Sequence, residues 1–241
     1  MVKNKTDSSG NENSRGILPR INAYLFSIKA EDVLLCQISI SLLAVFMIFL
    51  TACGTTRPSK FYTLNSLQTS ETVKQVASEE KKISVAIGPV EIPDYMDRPQ
   101  IAVRSSQNEL TVNEYERWAG SLRDDITRVL VENLSILLGG DRVSVFPLRP
   151  GFQSDYRIRV NLTRFDIMPD DIVSMRAEWA ILDKNGVIAF TMRETNFDEH
   201  IEGRSYSDKI AALSRALTGL SRDIADGIIL LHRKIPDPPL T

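Results

Sequence analysis

Cysteine and histidine, the residue types that most often carry chemistry, are scarce in this sequence. Two of the 241 residues are cysteine and two are histidine. Cys36 and Cys53 lie in or beside one apolar stretch, and no cysteine follows Cys53. The folded part of the chain therefore has no internal disulfide. His200 and His232 are too few to build a zinc site from the usual four Cys or His ligands. We expect neither a metal nor a cofactor.

One of the two cysteines has the neighbours that acylation of a thiol requires. Residues 38–50 form a run of thirteen apolar or hydroxyl-bearing side chains. This length matches the core of a signal peptide better than a full membrane span of about 20 residues. The run leads into Leu-Thr-Ala-Cys at 50–53, which resembles the lipobox of bacterial lipoprotein precursors. The resemblance implies cleavage between Ala52 and Cys53, and a diacylglyceryl group on the Cys53 sulfur.

Cys36 lacks this context, because the bulky Leu35 precedes it and no apolar core comes before it. Acyl chains contribute about 0.8 kcal/mol per buried methylene, so several chains on Cys53 make a stable anchor. An uncleaved membrane anchor with an incidental cysteine remains the alternative, since the apolar run extends back to Val33. Gly54 follows the cysteine in place of the aspartate that would suggest inner-membrane retention. We therefore expect an outer-membrane lipoprotein that faces the periplasm of a Gram-negative bacterium.

The composition excludes several classes of protein. With 43% hydrophobic and 25% charged residues, 12 Gly and 11 Pro, the chain is not collagen-like, wholly disordered or disulfide-dense. A single long apolar run excludes a polytopic membrane protein. The net charge of -2 provides no basic field for a phosphate backbone, so we expect no nucleic-acid partner.

The chain divides into four predicted segments. Residues 1–52 form a polar leader and a lipoprotein signal peptide, and residues 53–82 form the acylated cysteine and a tether with one short strand. Residues 83–235 form a periplasmic domain. Residues 236–241 form a proline-rich tail that cannot continue a helix.

Hydrophobic periodicity predicts the elements of the domain. Alternation of apolar and polar residues predicts strands, at 83–87, 101–103, 110–112, 143–147, 156–162, 173–181 and 188–192. Helical spacing predicts one helix from about Trp118 to Leu138 and a second over 207–233, with Ser205 and Asp208 as a capping box. One antiparallel or mixed sheet with both amphipathic helices packed on one face would bury both apolar stripes. The predicted fold class is therefore α+β.

A search for catalytic patterns finds no glycine-rich phosphate loop, no Gly-x-Ser-x-Gly elbow and no His-Glu-x-x-His pair. Three acids around Pro169 form a predicted loop, which could bind a hard cation or simply be solvated: Asp166, Asp170 and Asp171. We expect no catalytic residue and hence no enzyme.

A basic stripe follows the outward face of one predicted strand, at Arg157, Arg159 and Arg164. It could meet an acidic partner or lipid head groups, or it could be the solvent face of an amphipathic strand.

Six short segments carry a family pattern. They lie at 88–93 (GPVEIP), 95–101 (YMDRPQI), 116–119 (ERWA), 155–157 (DYR), 177–179 (AEW) and 214–217 (SRAL). Together they resemble the PqiC-like family of ABC-type transport auxiliary lipoproteins, over roughly residues 61–232. The Tyr-x-Asp-Arg-Pro-Gln and Arg-Trp-Ala segments are the most specific, and Met96 stands where we expect leucine.

The resemblance implies a non-catalytic outer-membrane lipoprotein of a mammalian-cell-entry (MCE) type lipid transport system that supports envelope integrity. Its implied partners are an MCE-domain protein that spans the periplasm and that protein's inner-membrane permease, and assembly into a homo-oligomer is compatible with this role. The alternative is a general envelope-integrity lipoprotein that binds peptidoglycan or an assembly machine without a transport role.

The proline-bounded loop in the most specific segment is the expected docking site, because a rigid backbone can present polar groups to a partner. A purely structural role is the alternative, with Asp97 and Arg98 paired locally and Trp118 in the core. The candidate partner-binding residues are Tyr95, Asp97, Arg98, Gln100, Arg117 and Trp118.

Overall fold

The structure, a computed structural model, describes residues 30–50, 57–68, 83–140, 142–148 and 153–234. The chain forms two units, residues 1–56 and residues 57–241. In the first unit, helix α1 spans Ala30–Leu50, and the side chains of residues 31–47 are exposed. Within the described ranges, no helix has both the length and the apolar character needed to cross a membrane. The predicted cleavage site at Ala52 and Cys53, most of the linker and the proline-rich tail lie outside the described residues.

The described residues of the second unit form eight strands and two α-helices. Its elements are β1 (Lys60–Tyr62), β2 (Val85–Glu91), β3 (Gln100–Ser106), β4 (Glu109–Trp118), α2 (Leu122–Leu137), β5 (Val143–Val145), β6 (Tyr156–Ile167), β7 (Ile172–Asp183), β8 (Ile188–His200) and α3 (Tyr206–Lys234). A short 3₁₀ turn, Asp94–Met96, lies between β2 and β3. The predicted α+β class is confirmed.

The strands form two mixed sheets. The larger sheet has the order β5-β2-β6-β7-β8, in which β5, β2 and β6 run parallel and β7 and β8 follow antiparallel. The smaller sheet has the order β1-β4-β3, with β1 parallel to β4. The periodicity predicted one sheet, because alternation identifies strands but does not identify their partners.

Both helices cover one face of the larger sheet, as predicted. The side chains of Ile87, Ile158 and Ile181 are cross-strand neighbours on this face and are fully buried. Helix α2 packs against β2 and β5, and α3 packs against β7 and β8. Every residue of the predicted α3 stripe is buried: Ile210, Leu213, Leu217, Leu220, Ile224, Ile228 and Leu231.

The helix starts show how local capping sets boundaries. The Ser121 hydroxyl accepts a bond from the Asp124 N–H at 3.3 Å, so α2 begins at Leu122. Trp118 was predicted near the helix start, but it ends strand β4 instead. Before α3, Ser205 and Asp208 bond each other's backbone N–H reciprocally, which confirms the capping box.

Candidate functional site

The most specific sequence segment forms a closed turn between β2 and β3. The Met96 N–H donates to the Pro93 carbonyl at 2.9 Å, and the Asp97 N–H donates to the Asp94 carbonyl at 3.2 Å. The Met96 side chain is buried in the core. The turn therefore has a backbone held by its own hydrogen bonds and an apolar residue that fixes it to the domain.

A buried carboxylate holds this turn against the larger sheet. Asp166, only 3% exposed, accepts a bond from the Tyr95 hydroxyl at 2.7 Å and one from Arg104 Nε at 2.8 Å. Arg164 Nε lies 3.9 Å from the same carboxylate. Tyr95 comes from the 3₁₀ turn and Arg104 from β3, so one acid joins three elements.

The position of Asp166 corrects the sequence prediction of an acidic loop. The β6–β7 register shifts between Leu162 and Arg164, so Phe165 and Ile167 point into the apolar core. Asp166 lies between them and points to the opposite face, where the turn covers it. Asp170 and Asp171 are exposed beyond the strand and do not join it in a cation site.

Burial and neighbouring carboxylates raise the pKa of two tyrosines. Burial, followed by the hydrogen bond and charge of Asp166, raises the pKa of Tyr95 to about 12. Burial, followed by the hydrogen bond and charge of Glu116, raises the pKa of Tyr62 to about 12. The Tyr62 hydroxyl donates to the Glu116 carboxylate at 2.5 Å. Both phenols thus remain donors at ordinary pH.

The structure brings the 95–100 and 116–118 segments together. Gln100 and Arg117 are cross-strand neighbours, and the Trp118 N–H donates to the Pro99 carbonyl at 2.7 Å. These segments are adjacent because β3 and β4 form the predicted hairpin. The Trp118 side chain is buried in the core.

Most polar groups in this cluster bond within the domain. Asp97 accepts from Arg123 at the start of α2 at 2.7 Å, so its ion-pair partner is not the adjacent Arg98. Gln100 donates to Glu114 at 3.1 Å. Arg98 is exposed, and within the described part of the chain it makes no side-chain hydrogen bond or ion pair.

A short segment after β1, Thr63–Leu67, is tied to both helices, and we call it the strap. Leu64 is buried, and its N–H donates to Asp125 of α2 at 2.6 Å. The Asn65 N–H donates to Ser214 of α3 at 3.0 Å. The sequence analysis assigned residues 53–82 to a tether with one short strand, and within that range the strap is hydrogen-bonded to the domain through Leu67.

Helices α2 and α3 share a buried polar contact that also holds the strap. Asn133 is fully buried, accepts from the Leu67 N–H at 2.7 Å and donates to Ser221 at 3.1 Å. Sequence reasoning missed both residues. The available signal was a polar residue in each apolar stripe, because Asn133 lies three residues after Leu130, and Ser221 lies four residues after Leu217.

The two histidines lie on different elements, at the end of β8 and near the end of α3. His200 is exposed, and His232 lies 3.5 Å from the Tyr156 hydroxyl. A group of three or more His, Cys, Asp or Glu able to hold a metal does not occur among the described residues.

The basic stripe on β6 divides into three different environments. The Arg157 guanidinium stacks over the Phe146 ring at 4.6 Å, Arg159 is exposed, and Arg164 approaches Asp166. The stripe therefore does not form one continuous basic surface.

Comparison with known proteins identifies a family and a fold. The model for the ABC-type transport auxiliary lipoprotein component family matches residues 62–225. No curated protein matches the sequence. A solved structure of an uncharacterized protein is 20% identical, covers 71% of this chain and 99% of its own, and has a TM-score of 0.58. A Xanthomonas campestris protein is 15% identical, covers 73% and 98%, and has a TM-score of 0.60. At these identities the structural likeness shows the fold alone.

Loss of the buried carboxylate should destabilise the domain. Asp166→Leu removes the shared acceptor of Arg104 Nε and the Tyr95 hydroxyl, and we expect the free energy of unfolding in urea to fall by about 3 kcal/mol. Asp97→Ala, which breaks the exposed pair with Arg123, should cost less than about 1 kcal/mol. Adding Arg104→Met to Asp166→Leu should recover part of the loss. A double variant no more stable than Asp166→Leu would contradict the ion-pair account.

Stability should also depend on the raised pKa of Tyr95. Because its folded-state pKa of about 12 exceeds the ordinary value of 10.0, the contribution is complete below pH 10 and is lost as the pH rises towards 12. Tyr95→Phe should therefore weaken the fall in unfolding free energy across this window, while Tyr115→Phe serves as the control. Phenolate absorbance of the folded protein should lose one late titration in Tyr95→Phe. An unchanged pH dependence in that variant would contradict this account.

Proposed function

The chain belongs to the ABC-type transport auxiliary lipoprotein component family, and from this premise we propose a non-catalytic role in lipid transport between the two membranes of a Gram-negative envelope. The match over residues 62–225 is the observation that carries this proposal. The domain is anchored to the outer membrane, faces the periplasm and serves an MCE-type transport system. Its partners are an MCE-domain protein that spans the periplasm and the inner-membrane permease of that system.

The proposed anchor is the acylated Cys53, which becomes the first residue of the mature chain after cleavage between Ala52 and Cys53. Support comes from the lipobox-like sequence and from the lipoprotein description of the family. The strap supports a mechanical role for this anchor, because it bonds the start of the domain to α2 and α3. Force on the tether would thus be transmitted directly to the helical layer.

The proposed partner surface is centred on Arg98. The turn beneath it is fixed by Tyr95 on Asp166 and by Asp97 on Arg123. Because the backbone of this turn is already fixed, only the Arg98 side chain loses conformational freedom when it meets a carboxylate. We therefore assign direct contact to Arg98, with an acidic group of the MCE-domain protein as its partner.

Four of the other predicted residues contribute indirectly, by fixing the turn and its adjoining strands. Tyr95 and Asp97 position the turn, and Gln100 and Trp118 hold the adjoining strands in register. Arg117 is the cross-strand neighbour of Gln100 and is half-buried.

The anchor can be tested with the two cysteines of the chain. Cys53→Ala should abolish incorporation of labelled palmitate and release the protein from membranes, because no thiol remains at the lipobox. Cys36→Ala is the matched control and should leave both unchanged. Membranes would be fractionated by density to separate inner from outer. Tight attachment of Cys53→Ala would contradict the lipid anchor.

The partner surface can be tested by co-purification of the tagged protein from native membranes in mild detergent. We expect stoichiometric recovery of an MCE-domain protein, and we expect Arg98→Glu to reduce this recovery roughly tenfold through charge repulsion. Arg159→Glu, which changes an equally charged exposed residue on β6, should recover the normal amount. Recovery of cell-wall or assembly factors alone would overturn the transport hypothesis, and equal recovery from both variants would overturn the role of Arg98.

A further inference from the structure

We infer that the smaller sheet carries a lipid-facing patch, formed by Phe61, Tyr115 and Arg117, which lies against the head groups of the membrane that holds the anchor. The inference rests on the proposed acylation of Cys53. It adds a defined orientation of the domain, with direct contact between this surface and phospholipid.

The three patch residues lie on neighbouring strands of the smaller sheet. Phe61 of β1 and Arg117 of β4 are cross-strand neighbours in the parallel ladder. Tyr115 lies two residues before Arg117, in the stretch of β4 where the register with β3 shifts. The exposed fractions are 64% for Phe61 and 40% for Tyr115, and Arg117 is half-buried. Phe61 and Arg117 thus lie side by side, with a second exposed aromatic ring close by on β4.

The opposite side of the same strands is already occupied. Tyr62 bonds Glu116 and lies 6.2 Å from the Tyr206 ring of α3, and Trp118 is buried. Phe61 immediately precedes Tyr62, which packs on the domain, yet the Phe61 side chain remains open to solvent. The hydrophobic core therefore does not account for a phenylalanine at this position.

The short tether between Cys53 and β1 favours a membrane surface as the partner of this patch. Six residues separate Cys53 from Lys60, so Phe61 cannot be more than about 30 Å along the chain from the acylated sulfur. Because the strap bonds the segment after β1 to both helices, β1 moves with the domain. A membrane surface is therefore always within reach of β1 and its neighbour β4.

The chemistry of the patch fits a phospholipid interface. Aromatic rings favour the boundary between head groups and acyl chains, and a guanidinium pairs with lipid phosphate. Arg57 and Lys60 are exposed on the segment that enters β1, and the exposed acid Glu114 lies on β4. The Phe61 ring and the Arg117 guanidinium are the groups that suit a phospholipid head-group region.

The test uses the full acylated protein reconstituted into vesicles of phosphatidylethanolamine and phosphatidylglycerol. The proposed mature chain has no thiol beyond the acylated Cys53, so one introduced cysteine can carry a fluorophore. Position 61 is near the anchor in any case, and Tyr115→Cys is therefore the informative site. Val187→Cys, at a residue 63% exposed in the β7–β8 turn, is the control.

We expect lipid-borne quenchers to reduce fluorescence at position 115 roughly threefold more than at position 187, because only the patch meets the interface. Adding Phe61→Ser and Arg117→Ser should reduce quenching at 115 to the control level. Met192→Ser, which removes another exposed apolar residue, should leave it unchanged.

Two results would overturn the inference in distinguishable ways. Protein that floats with the vesicles but shows equal quenching at 115 and 187 would exclude the patch and leave the anchor intact. Shielding of position 115 from a water-soluble quencher without quenching by lipid would likewise overturn it, in favour of a protein contact. Protein that fails to float would overturn both the anchor and the patch.

Discussion

A buried carboxylate, alongside the shared apolar core, fixes the turn and the smaller sheet on the larger sheet. Asp166 is almost excluded from water, and a carboxylate in that environment needs compensating donors. Tyr95 and Arg104 supply them from two elements that are remote in sequence. Because an unpaired buried carboxylate would cost several kcal/mol, the turn, β3 and β6 take up one arrangement. The backbone of the turn is therefore fixed at its exposed residues as well.

The same requirement, that a buried polar group has a partner, applies where the two helices meet. Asn133 is buried between α2 and α3, so its amide must find partners, and it finds them in Leu67 and Ser221. A backbone segment from the start of the domain is thereby held in the groove between the helices. Apolar burial supplies the general driving force, while these few polar contacts select which segment lies where.

Much of this fold could be predicted from sequence because its elements obey local rules. Alternation located the β3–β4 hairpin and the strands of the larger sheet, and helical spacing with the capping box located α3. The prediction failed where local signals are silent. A register shift near Thr163 reverses which side Asp166 faces, and the pairing of β1 with β4 depends on residues 56 positions apart, such as Phe61 and Arg117. Periodicity carries no information about such distant pairs.

The six candidate residues show what sequence can and cannot tell about a polar segment. The six candidate residues do gather around one turn and hairpin, but Tyr95, Asp97 and Gln100 are bonded to Asp166, Arg123 and Glu114. The family resemblance picks out this segment, and it does not tell whether the polar side chains bond within the domain or face a partner. Their inward bonds make the segment a marker of the fold. In our proposal, specificity for the partner resides in the side chains that the segment leaves exposed, and Arg98 is the cation among them.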